Sequence, residues 1–182
     1  MTDREPYTPG PAGGAEVVRK DGDQWTLLLV RDLRHPPDKV WQALTDPEHL
    51  REWAPFDADR SLGTAGQKVT LTTVGAPSPH VTETTVTQAD APRSLIYNWG
   101  GNDMRWELEA TEGGTRLTLW TSIDRRYISM GAAGWHLCFD VLDRLLSGDP
   151  IGRMVGMDMM KFAGWQRLNA EYAQQFGVGG PQ

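Results

Sequence analysis

From Asp103 to Asp124 the chain reads as a β-hairpin, and this limits everything around it. Met104, Trp106 and Leu108 alternate with Arg105, Glu107 and Glu109. After the turn signal Glu112-Gly113-Gly114, Leu117, Leu119 and Ile123 alternate with Arg116, Thr118 and Trp120. Successive side chains of a strand point to opposite faces, so alternation of this kind describes a sheet with one dry and one wet face. The dry face needs an apolar cover.

The strand pattern continues upstream. Val69, Leu71 and Thr73 alternate with Lys68, Thr70 and Thr72, and Gly75 to Pro79 is a loop. Val81 to Gln88 is rich in Thr and Val, which suits a strand. Ala91-Pro92-Arg93 turns the chain into Ser94 to Trp99, and Gly100-Gly101-Asn102 is a hairpin turn. Four or five antiparallel strands therefore follow one another. Before them, Ala15 to Lys20 and Gln24 to Leu33 read as strands about the turn Asp21-Gly22-Asp23. Two short helices come next. Pro36-Pro37 opens the first, with Val40, Trp41 and Leu44 as its apolar stripe, and Pro47 opens the second, Glu48 to Trp53, capped by Asp46 or Thr45. Pro55 to Gly66 reads as an irregular connection.

The cover comes from the C-terminal third. Met130 to Leu146 is a long amphipathic helix with Trp135, Cys138, Leu142 and Leu145 on one side and His136, Asp140, Asp143 and Ser147 on the other. Gly148-Asp149-Pro150 stops it. Met157 to Phe176 reads as one additional helix that ends at Gly177. Residues 1–14 carry three prolines and three glycines and no apolar run. They are expected to be a disordered arm rather than a signal peptide. The expectation is an α+β chain: an arm over 1–14, one domain over 15–177 that includes the additional helix at 157–176, and a tail over 178–182.

Two segments resemble a known family. The run from Val40 to Leu50 (Val-Trp-Gln-Ala-Leu-Thr-Asp-Pro-Glu-His-Leu), followed by Trp53, is similar to the opening signature of the SRPBCC superfamily. Gly134 to Leu145 is similar to the C-terminal helix motif of its activator of heat-shock-protein-ninety ATPase homologue family. The resemblance spans residues 24 to 147. It implies a START-like helix-grip fold: a curved antiparallel sheet wrapped around a long C-terminal helix, with an internal cavity. The superfamily includes lipid carriers, polyketide cyclases, hormone receptors and co-chaperone modules, so the fold does not choose a function.

The residues narrow the choice. Lys and Arg total 18 against 24 Asp and Glu, a net charge of −6, with no dense basic cluster. This argues against nucleic acid or an anionic membrane as the main partner. No window has the apolar length of a membrane span. Cys138 is the only cysteine, which excludes an internal disulfide and suits the cytoplasm. His35, His49, His80 and His136 form no ligand-spaced pair, so no metal is expected. Gly63-Thr64-Ala65-Gly66 lacks the Lys-Ser/Thr of a phosphate loop; neither a cofactor nor intrinsic ATPase activity is expected. Cys138 reads as an inert buried thiol and His136 as a surface or pocket-rim group. Asp57, Asp59, Glu83, Glu107 and Asp124 are the acid–base candidates, each with a solvated or turn role as the plainer reading.

The chain has eight tryptophans, and ligand cavities are lined mainly by apolar and aromatic groups. Trp53, Phe56, Trp99, Trp106, Trp120, Trp135 and Phe139 are the expected cavity lining, with the faces of Trp99 and Trp120 dependent on strand register. The expected function is binding of a hydrophobic small molecule. The alternatives are a cyclase- or hydrolase-like enzyme and a co-chaperone-like or homodimeric interaction module. The Met154, Met157, Met159, Met160 stretch is the candidate contact surface for the last of these.

Overall fold

The computed structural model describes residues 7–18, 22–75 and 80–178. The expectations for residues 1–6, 19–21, 76–79 and 179–182 fall outside these. In chain order the elements are β1 (Ala15–Val18), β2 (Gln24–Leu33), α1 (Pro37–Thr45), α2 (Pro47–Trp53), β3 (Phe56–Ala58), β4 (Lys68–Thr73), β5 (His80–Thr85), β6 (Gln88–Asp90), β7 (Ser94–Trp99), β8 (Asn102–Thr111), β9 (Gly114–Asp124), α3 (Ile128–Leu146), α4 (Gly156–Lys161) and α5 (Ala163–Phe176).

Six strands pair in the order β1-β2-β9-β8-β7-β6, all antiparallel. A second group, β3-β4-β5, continues the curve. The two are joined where the Asn98 amide donates to Thr84 Oγ1 (3.0 Å) and the Thr87 amide to the Ile96 carbonyl (2.9 Å). The inner face carries Leu27, Leu29 and Leu33 of β2, Leu95 and Tyr97 of β7, Met104 and Trp106 of β8, and Leu117 and Leu119 of β9, all buried. Helix α3 lies across this face as the expected cover. The sequence reading of Pro55 to Gly66 as irregular misses β3, whose three residues pair with β4; three residues are too few to show a period.

α1 and α2 close one end. Asp46 ends the first helix and caps the second, its side chain accepting from the Glu48 amide (2.9 Å). Trp53 then turns into the core, its indole N–H donating to the Ala43 carbonyl (2.9 Å). A buried indole must find such a partner.

The C-terminal segment departs from the expected single helix. The chain breaks at Phe162, which is extended between α4 and α5. The ring of Phe162 folds back to stack on Tyr7 (centroids 6.0 Å). Gly164 makes room for this, since a Cβ there would lie 2.6 Å from the Phe162 ring and 2.8 Å from Pro9. α5 packs on α3, covering the side that carries His136 and Asp140.

The described part of the N-terminal arm is ordered against α5, which corrects the expectation of a loose segment for residues 7–14. Arg167 donates to the carbonyls of Pro9 and Gly10 (both 2.7 Å), and the Ala12 amide donates to Glu171 Oε1 (2.9 Å). Tyr172 and Gly13 bond to each other through the phenol and both backbone groups of Gly13. Proline and glycine deny the arm a helix or strand of its own, and side chains of α5 satisfy its backbone groups instead.

Candidate functional site

The site begins with two glycines inside a helix. Gly131 and Gly134 sit on α3, where glycine costs about 1 kcal/mol relative to alanine. Ile123 fills the space beside Gly131, with Cδ1 only 2.6 Å from where a Cβ would stand. Beside Gly134 the nearest such atom is Met159 Cε, at 3.2 Å. At these two positions α3 shows backbone rather than a side chain to the end of the sheet. The result is a partly enclosed cavity of about 270 Å³ between α3, the β7 and β9 ends and the segment leading into α4. Trp99, Trp135, Ile123, Met130 and Met159 give it an apolar lining. Asn102, Thr121 and Ser122 add uncharged polar groups at the strand end.

The aromatic residues expected to line one space are divided by the structure. Trp99 and Trp135 meet edge to face (6.2 Å, 82°) and form the cavity wall. The Trp99 indole is fixed by donation to Thr73 Oγ1 (3.0 Å). Trp53, Phe56, Trp106 and Phe139 are packed solidly behind that wall, each 1 or 2% exposed. Trp106 is the hub, edge to face with Trp53 (6.2 Å) and Trp135 (5.6 Å) and tilted against Phe139 (6.1 Å), its N–H donating to the Tyr97 hydroxyl (3.1 Å). Phe56 touches the wall through Trp99 (5.0 Å). These four support the cavity rather than line it.

Trp120 is a correction. It pairs across from Arg105 and Leu28, on the face opposite Leu119 and Thr121, and the Arg105 guanidinium lies 4.9 Å over its ring. The alternation that buries Leu117 and Leu119 sends Trp120 outward, where a cation over its ring replaces core contacts.

A second polar cluster lies on the other side of α3. Arg31, on the inner face of β2, donates to Asp140 Oδ1 (2.6 Å), and the Tyr7 hydroxyl donates to the other carboxylate oxygen of Asp140. His136 bonds the Tyr172 hydroxyl through Nδ1 (2.7 Å). Burial lowers the His136 pKa, Asp140 opposing and Arg31 assisting. His136 is thus a buried link between α3 and α5, not a rim group. His35 and Asp143 pair in the same way (2.9 Å). α5 and the arm cover the His136–Asp140 part of this helix side, while Asp143 (45% exposed) and Ser147 stay at the surface.

Cys138 lines the cavity as a neutral thiol, burial pushing its pKa up to about 12. None of the acid–base candidates lines this cavity. Asp57 pairs with Arg153 (2.8 Å), Asp59 accepts from the Thr70 amide (2.8 Å), Glu107 pairs with Arg105 (2.7 Å), Asp124 with Arg126 (3.0 Å), and Glu83 is exposed. The methionine stretch does not form one surface. Met154 is in the core, Met159 lines the cavity, and Met157 and Met160 are exposed.

Gly131, Gly134, Ile123, Met130 and Met159 are the site residues that the sequence reading misses. Two glycines three apart inside an apolar helix were the available signal, because such glycines have a packing or functional reason.

The sequence matches a known family. Residues 34–147 match the model described as activator of Hsp90 ATPase homolog 1-like protein. The chain belongs to this family. The solution structure of an AHSA1-like protein from Aeromonas hydrophila aligns with a TM-score of 0.56 at 16% identity, covering 68% of this chain and 92% of that one. A conserved protein of unknown function from Enterococcus faecalis aligns at 0.66 and 16% identity, covering 91% of this chain and 92% of its own. CalU16 from Micromonospora echinospora aligns at 0.63 and 20% identity, covering 88% and 95%. At these identities the likeness is one of fold. Coverage of 88–91% reaches past residue 147, so these two folds share part of the C-terminal extension. No curated protein matches the chain. Among the described residues, no helix is long and apolar enough to cross a membrane.

Proposed function

We propose that this chain binds a hydrophobic small molecule in the cavity between α3 and the ends of β7 and β9, and hydrolyses no ATP itself. The observation that carries this is the space of about 270 Å³ left where Gly131 and Gly134 face a Trp99–Trp135 wall. Both glycines give up helix propensity, and they let Ile123 and Met159, which line the cavity, come close to the helix backbone. The volume stands just below the usual range for ligand sites, roughly 300–1,000 Å³, so the ligand is small. An acid–base enzyme finds less support, because the carboxylates are engaged away from the cavity. A buried thiol kept from oxidation suits a cytoplasmic location.

Native mass spectrometry of the purified full-length protein tests this reading. A bound small molecule, or uptake of one added apolar aromatic per chain, is expected. Protein that neither carries nor takes up any such compound would overturn it. The same spectrum reads subunit number, and a monomer would rule out a dimer contact through exposed Met157 and Met160.

A further inference from the structure

One wall of the cavity lies outside the family domain. The family match ends at residue 147, whereas Val155, Gly156 and Met159 all line the cavity. Two anchors hold this wall. Arg153 donates to the carbonyls of Ala54 (2.7 Å) and Phe56 (2.9 Å) and pairs with Asp57 (2.8 Å). Gly75 and Gly156 meet backbone to backbone, so that a Cβ on Gly75 would lie 2.8 Å from Gly156 Cα. The Met157 amide donates to the Gly75 carbonyl (3.2 Å). Beyond these anchors, α4 is six residues long and has no fully buried side chain. Only Met159 of this helix reaches the cavity as a side chain, over Gly134. Methionine, unbranched and polarizable, adapts its shape to what lies beside it.

The lining also defines what fits. A dry cavity of about 150 Å³ with aliphatic and aromatic walls takes benzene, so about 270 Å³ suits two fused rings. The Trp99–Trp135 corner offers ring faces and edges to a flat aromatic. No lining side chain is charged, and Arg153 nearby is occupied by Asp57 and two carbonyls. A carboxylate would enter without a counter-ion and lose its hydration. Asn102, beside a Thr121 hydroxyl that already donates to Met104 Sδ, can meet one hydroxyl or carbonyl group at the strand end.

We propose that Met159 is the residue that sets which molecules the cavity accepts, and that the accepted class is an uncharged, flat aromatic of two fused rings bearing one hydroxyl or carbonyl. This rests on the binding reading above. The test uses calorimetric titration of full-length wild type, Met159→Trp and Met159→Ala with 2-naphthol, 2-naphthoate and a three-ring phenol at pH 7.5. The rate at which Cys138 reacts with a small disulfide reagent is read in parallel, without and with each compound. Wild type is expected to bind 2-naphthol about tenfold or more tighter than 2-naphthoate. Met159→Trp fills the cavity, weakening 2-naphthol about tenfold and slowing the thiol reaction; Met159→Ala moves preference about tenfold toward the three-ring compound. If wild type binds 2-naphthol but both variants bind every compound as wild type does, the role of Met159 is refuted and the cavity stands. Tight binding of 2-naphthoate refutes the ligand class. If wild type binds none of the three and none slows the Cys138 reaction, cavity and inference fall together.

Discussion

Gly134→Ala and Gly131→Ala make the same chemical change three residues apart on one helix, and the structure predicts opposite signs. Each replacement gains about 0.8–1.0 kcal/mol of helix propensity. At position 134 the new Cβ meets Met159 Cε at 3.2 Å and Sδ at 3.9 Å. A half-buried methionine tip yields a few tenths of an ångström for about 0.5 kcal/mol or less. Gly134→Ala should therefore stabilise the protein by about 0.5 kcal/mol, a rise of roughly 1–2 °C in Tm for a domain of this size. At position 131 the Cβ would stand 2.6 Å from Ile123 Cδ1. Ile123 is partly buried against the core, and because its β-branched χ1 is stiff the δ-methyl must swing about χ2 to make room. Overpacking of that kind costs about 1–3 kcal/mol, which exceeds the propensity gain. Gly131→Ala should lose up to about 2 kcal/mol, the overpacking cost less the helix gain. Urea unfolding followed by circular dichroism measures both. The same sign for the two variants would refute the account of the helix wall. Gly134→Ala also narrows the cavity, so the more stable protein should bind its ligand less well, a trade expected where a site has been kept open at the expense of stability.

Other expectations follow from the packing and the polar cluster. Trp106→Ala removes the hub of the aromatic cluster and should cost about 3–5 kcal/mol, or roughly 10 °C in Tm; a loss below about 1.5 kcal/mol would mean that the cluster relaxes freely. Asp140→Asn leaves Arg31 without its anion. The two side chains are 24% and 18% exposed, so the loss should be about 2 kcal/mol, below that of a fully buried pair. Hydrogen exchange should rise over residues 7–14 of that variant and nowhere else near the surface. His136 supplies a pH dependence with a definite sign. Its folded pKa is depressed by burial below the ordinary 6.5, so below that pH the unfolded chain binds a proton that the folded chain refuses. Stability contributed this way is present above the unfolded pKa and is lost as pH falls from about 6.5 toward the folded value. His136→Asn should flatten the slope of unfolding free energy between pH 7 and 5.5, and an unchanged slope would assign the effect elsewhere.

The sheet was legible because alternation is a local property. Met104, Trp106, Leu117 and Leu119 declare their face whatever lies above them. The same alternation already set Trp120 against Leu119, and its place among the expected cavity residues yielded to that pattern. Helix α3 was legible as a cover but not in its environment. The sequence places the polar side chains His136, Asp140 and Asp143 on one stripe, and a polar stripe in sequence does not say whether partners or water satisfy it. Here Tyr172, Arg31, Tyr7 and His35 do, from β2, α5, the arm and the α1 entry, all distant in sequence. The break at Phe162 was invisible for a similar reason: it depends on Tyr7 and Pro9, more than 150 residues away in the chain. The cavity is lined in part by backbone, at Gly131 and Gly134, so counting aromatic residues located its wall and not its space.

The central claim is that a hydrophobic molecule sits against Trp99 and Trp135. The eight indole N–H groups give a direct reading, since each tryptophan contributes one resonance in a 1H–15N NMR spectrum. On titration with 2-naphthol the account predicts saturable shifts of the Trp99 and Trp135 signals, a smaller response from Trp106 behind them, and none from Trp120 on the outer face. Titration that moves no indole signal, or that moves Trp120 first, would contradict it.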